Sequence, residues 1–172
     1  MIKLKNLLTE TLDDPYKYKC TFKTEEIDYD DEETGETYKK DVLQPTQIVE
    51  FTTENNIKYI WYAKQNRHDP TSWEIAFGIV KNVTDKGKYE TDISITKTGN
   101  AFRIFTTIIN ITNSFIEFDD NYNEINRITL TSKEKNRTKL YIDRLLHKIE
   151  KFKIEDVREY LDETIIIMVR TS

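Results

Sequence analysis

Cysteine, glycine and proline are nearly missing from this chain: one cysteine, four glycines and three prolines stand in 172 residues. A lone Cys20 excludes an internal disulfide, so it is expected to pack as a small apolar side chain in a reducing compartment. No apolar run approaches the roughly 20 residues that a membrane helix needs, which excludes a helical span. The opening Met1-Ile2-Lys3-Leu4-Lys5-Asn6-Leu7-Leu8 is interrupted by charge and has no small-residue cleavage site, so it does not read as a signal peptide. Glycine, proline and alanine are scarce beside abundant Ile, Asn and Lys, a bias that points to an AT-rich genome.

What remains is 37% hydrophobic and 33% charged, enough for one core and one domain over residues 1–172. Leu4, Leu7, Leu8 and Leu12 repeat at near-helical spacing up to Asp13-Asp14-Pro15, where proline disfavours continuation. From Tyr16 the period becomes two, with Tyr16, Tyr18, Cys20 and Phe22 alternating with polar residues as in a half-buried strand. Glu25 to Glu36 carries eight acids with Gly35 in a turn, and Tyr38 to Leu43 returns as the partner strand of an acidic hairpin. Strands are then expected at Gln47 to Thr52, Ile57 to Ala63, Trp73 to Val80 and Tyr89 to Thr96, an antiparallel meander.

After Gly99 the period lengthens. Ala101, Ile104, Phe105, Ile108, Ile111, Phe115 and Ile116 line one face, widened by Phe102 and Ile109, as in a helix buried on a sheet. Ile125 to Leu130 reads as a strand. Thr131 with Glu134 three residues later is a capping-box pattern that predicts a second helix from Ser132 to Lys151. Phe152 to Tyr160 and Thr164 to Arg170 read as a closing hairpin, although Glu155 to Leu161 also fits a helical turn.

The turn Thr98-Gly99-Asn100-Ala101 opening that first helix has small residues where backbone N–H groups and the helix dipole can meet an anion. The same turn serves equally as a plain strand-to-helix connection. With the following helix, strand, helix and hairpin, it resembles the second half of a GCN5-related N-acetyltransferase (GNAT) fold. The resemblance implies an α/β (α+β) fold, with a mostly antiparallel central sheet of six or seven strands and two long helices packed on it. It also implies acetyl-CoA or a related acyl-CoA as ligand, with Gly99, Asn100 and Ala101 on the pyrophosphate and Arg103 supplying charge. Tyr141, in Lys139-Leu140-Tyr141, resembles the family's general acid, a role that suits a phenol protonated at neutral pH. A tyrosine between Leu140 and Ile142 is also an ordinary packing residue.

No metal site is expected: Asp28 to Glu33 lacks the ligand alternation of a calcium loop, and His68 and His147 read as surface residues. Charge is unevenly placed. Against the acidic hairpin, Lys133, Arg137, Arg144, Lys148 and Lys151 fall along one stripe of the second predicted helix, able to hold an acidic partner or a phosphate-bearing ligand. The stripe is also readable as a solvated face. Aromatic residues avoid it, so nucleic acid is not the expected partner. The opening segment, Thr98 to Arg103 and Asn136 to Tyr141 resemble segments of small uncharacterised proteins of tailed bacteriophages. That resemblance implies residence in the host cytoplasm or the virion. Two functions from different classes follow: a noncatalytic accessory or virion-associated protein that binds a phage or host protein, and a divergent acyl-CoA-binding N-acyltransferase.

Overall fold

The computed structural model describes residues 14–83, 89–92, 101–119, 125–132, 146–161 and 163–171. Alternating patterns in the first half become β1 (Thr24–Asp30), β2 (Thr37–Leu43), β3 (Thr46–Thr52), β4 (Lys58–Gln65), β5 (Ser72–Val83) and β6 (Tyr89–Asp92). The helical pattern becomes α1 (Ala101–Asp119), and β7 (Arg127–Ser132), β8 (Phe152–Tyr160) and β9 (Glu163–Arg170) follow. Strands β1 and β2 form a two-stranded sheet of their own. The main sheet runs β3-β4-β5-β7-β9-β8, and β6 pairs with β5. Every pairing is antiparallel except β5 with β7, which is parallel.

The core forms where α1 lies on the sheet. Phe115 is fully buried and meets three rings edge-on, those of Trp61, Trp73 and Phe22, at centroid distances of 5.5, 5.1 and 5.3 Å. Offset and edge contacts of this kind add to the area each ring buries. The Trp61 indole N–H donates to the Thr112 hydroxyl at 3.1 Å, and that hydroxyl donates to the Ile108 carbonyl at 2.8 Å, so this polar pair enters the core satisfied. Phe105 and Ile108, on the expected apolar face, are 6% and 5% exposed.

Three expectations are corrected. The α/β (α+β) GNAT-like architecture with two long helices is overturned: the protein is mostly β, with a mixed sheet, a separate two-stranded sheet and one α-helix among the described residues. Ser132, expected to open the second helix, is the last residue of β7, where Thr131 and Ser132 pair with Ile165 and Thr164. At the other end, Leu146–Lys148 makes a single 3-10 turn, Lys151 takes a left-handed φ of 62°, and Phe152 starts β8. The strand runs through the capping pattern because the ladder to β9 is anchored by the buried rungs Ile128–Met168 and Leu130–Ile166 just before it. The intervening residues 133–145, and the leucines at near-helical spacing from Leu4 to Leu12, lie outside the described residues.

The third correction concerns residues 16–22, expected as a strand. They alternate in burial as expected, with Tyr16 buried and Tyr18, Cys20 and Phe22 half-buried, but only one bridge, Tyr18 to Phe51, joins them to β3. The segment is held by side chains instead. The Tyr16 amide donates to the Thr107 hydroxyl at 2.8 Å, and the Phe22 ring packs edge-on against Phe115 and tilted against Phe118.

Candidate interaction site

The β1–β2 hairpin is an arm. Its ladder runs seven rungs from Thr24–Leu43 to Asp30–Thr37, yet from Glu25 to Asp41 every residue of both strands is exposed. A two-stranded hairpin is marginal alone in water, so its order has to come from its two ends. At the base, Leu43 is buried in the core and the buried Gln47 side chain grips the chain where the arm leaves it. The Lys23 amide donates to Gln47 Oε1 at 2.7 Å, while Gln47 Nε2 donates to the carbonyls of Lys23 and Gln44 at 2.8 and 2.9 Å. The Gln44 amide closes the base by donating to the Lys23 carbonyl at 2.9 Å.

At the tip, Asp31 Oδ1 accepts from the amides of Glu33 at 2.8 Å and Thr34 at 3.1 Å. Gly35 adopts φ +71°, the left-handed conformation that glycine takes without a Cβ penalty. Backbone hydrogen bonds from Thr34 and then Glu33 hold the Asp31 carboxyl below its ordinary value. The acidic tip is therefore a built turn.

Register sorts the arm into two faces, because directly opposed residues of an antiparallel pair share a side. Ile27, Tyr29, Tyr38 and Lys40 share one face, and the tyrosine rings touch at 5.2 Å. Glu26, Asp28, Lys39 and Asp41 share the other, where Lys39 pairs with Glu26 at 2.6 Å. The hairpin and its charge are legible in the sequence; the shared face of Ile27, Tyr29 and Tyr38 was not among the expected sites. The signal that could have found them was the alternation Ile27-Asp28-Tyr29-Asp30 itself.

The residues expected to bind acyl-CoA are not gathered here. Gly99, Asn100 and Tyr141 lie outside the described residues, and Ala101 is the first residue of α1. Arg103 is turned to internal use. Its Nη1 pairs with Glu54 Oε1, its Nε donates to the Asp14 carbonyl at 2.8 Å, and its guanidinium lies 4.3 Å from the Tyr16 ring centre. The Tyr16 hydroxyl donates to the other Glu54 oxygen at 2.5 Å, so the cluster staples the 14–16 segment to α1 and to the β3–β4 turn.

Of the predicted interaction residues, Arg137 and Arg144 lie outside the described residues. Lys148 and Lys151 are exposed, but on a turn instead of a helix stripe. Asn113 of α1 fixes that turn, donating to the Lys148 carbonyl at 3.1 Å and accepting from the Glu150 amide at 3.0 Å. His68 and His147 are exposed, and Cys20 is half-buried, its thiol pushed up to about 11 by burial. Among the described residues, no group of three or more His, Cys, Asp or Glu side chains could hold a metal ion, and no helix is long and apolar enough to cross a membrane. A groove of about 470 Å³ beside the β4–β5 loop is lined by Lys64, Arg67 and His68 but also by Glu74, so it offers a ligand charges of both signs.

No family model matches the chain, and no curated protein matches it.

Proposed function

We propose that this is a noncatalytic accessory or virion-associated protein of a bacteriophage that binds a partner protein through the β1–β2 arm. One observation carries the binding reading: a well-formed seven-rung hairpin stands with both faces in water, clamped at its base by Gln47 and closed at its tip by Asp31. Ordering exposed chain costs about 1–2 kcal/mol per residue, and an arm ordered in advance spares a partner that cost on binding. The phage setting rests on the resemblance of three short segments to small tailed-phage proteins.

The experiment compares the full chain with one in which a short turn joins Lys23 to Gln44 in place of the arm. A partner retained by the full chain and lost from the armless one supports the reading; identical partner sets overturn it. The N-acyltransferase alternative has its own measurement. Acetyl-CoA at a hundredfold excess over its dissociation constant would stabilise the protein by about 2.7 kcal/mol. A melting temperature unmoved by millimolar acetyl-CoA removes that alternative.

A further inference from the structure

The arm has two unlike faces, and only one suits a docking surface. Resting on the partner-binding reading above, we propose that the face bearing Ile27, Tyr29 and Tyr38 is the one that docks, and that its occupant is a protein surface with an apolar slot rimmed by Lys and Arg side chains.

Ile27, Tyr29 and Tyr38 are 40%, 46% and 47% exposed and sit together on one side of the ladder. Tyrosine is well suited to anchor an interface, since it brings a large rigid ring with few rotatable bonds and a hydroxyl for the wet rim. The tyrosine rung lies next to the last rung of the arm, so the acidic tip borders it directly. Asp30, Asp31, Glu32, Glu33 and Glu36 all fall within that tip. The arm's two lysines are outnumbered by these five acids: Lys39 is paired with Glu26, and Lys40, on the docking face itself, lies over the Tyr29 ring at 5.6 Å. An apolar centre in an acidic surround is complemented by an apolar slot in a basic surround, and like charge excludes other occupants. A second arm offers no slot rimmed by Lys and Arg, having only Lys39 and Lys40 against the eight acids from Glu25 to Glu36, and anionic lipid would be repelled by the same acidic tip.

The test places the photo-crosslinking amino acid p-benzoyl-phenylalanine in the otherwise intact chain, at Tyr38 on the aromatic face or at Asp28 on the acidic face. The chain is expressed in its native host cells, and heparin is added to parallel samples of the lysate before irradiation. We expect a protein adduct from position 38 and little or none from position 28. The adduct should map to a Lys/Arg-rich surface and be suppressed by heparin, a polyanion that competes for a basic rim. Tyr29→Ser with Tyr38→Ser should weaken retention by at least about tenfold, whereas Tyr29→Phe with Tyr38→Phe, which keeps the rings, should retain most of it. Circular dichroism of both variants separates loss of binding from loss of the arm.

Equal adducts from both faces, no adduct, an adduct of twice the chain mass, insensitivity to heparin, or a neutral or acidic captured surface would each overturn the proposal. If position 38 fails while the armless chain still loses its partner, the face is misassigned and the arm reading stands. If the armless chain keeps its partner, both fall.

Discussion

Gln47 and Lys23 are joined by two hydrogen bonds running in opposite directions: the Lys23 amide donates to Gln47 Oε1, and Gln47 Nε2 donates to the Lys23 carbonyl. A side-chain amide here does what a neighbouring strand would do, satisfying both backbone groups of one residue while itself only 1% exposed. Substituting Gln47→Ala takes the acceptor from the Lys23 amide, while the Lys23 carbonyl keeps the Gln44 amide, and should cost about 1–3 kcal/mol. Thermal denaturation checks the magnitude. Hydrogen exchange checks the location: the amides of Lys23 and Glu25 should lose more protection than those of β4 or β5.

The aromatic hub gives a larger effect. Phe115→Ala removes the ring that Trp61, Trp73 and Phe22 pack against, and should destabilise the protein by about 3–5 kcal/mol. Chemical denaturation should show a lower midpoint. A loss under about 1 kcal/mol would mean that the surrounding rings close the cavity.

The tip of the arm should depend on pH. Asp31 has its carboxyl held below the ordinary 3.8, so the folded tip favours the ionised form. Its contribution is present above pH 3.8 and is lost as the pH falls through the lowered folded value. Hydrogen-bond-sensitive amide shifts of Glu33 and Thr34 should therefore hold from neutral pH into the acid range and change as the pH falls through the lowered folded value. Asp31→Asn should remove that low-pH transition.

Cys20 should be slow to react. Its thiol, pushed up to about 11 by burial, is almost wholly protonated at neutral pH, and the thiolate is the nucleophile. Alkylation by iodoacetamide should be far slower in the folded protein than after denaturation. Because the unfolded thiol ionises near 9 and the folded one near 11, this group also favours unfolding as the pH rises through that window. Rapid labelling of the folded protein at pH 7 would show that residues 16–22 open readily.

Local pattern was enough to read nearly every strand. The alternation in Gln47 to Thr52 survives as β3, which buries one side, and the apolar run Trp73 to Val80, bounded by polar loops, survives as β5, which buries residues on both faces. The 3.6-residue repeat from Ile104 to Ile116 survives as α1, since an apolar stripe of that spacing has one way to be buried. Gly35 and the acidic run around it mark the hairpin turn for the same local reason, the φ that only glycine adopts without cost.

Tertiary structure decided the rest, because it depends on which distant residues meet. Thr131 and Glu134 satisfy a helix-start pattern, but Thr131 is claimed by Ile165, more than thirty residues on, and a strand continues through Ser132. Arg103 looks available for an anion until Glu54, Asp14 and Tyr16 are brought around it by the packing of α1 against the 14–16 segment. Likewise, Ile27 and Tyr29 look like one side of an ordinary half-buried strand. Their exposure follows only from β1 and β2 pairing with each other in a separate sheet, since alternation says which side chains share a face but never what covers it.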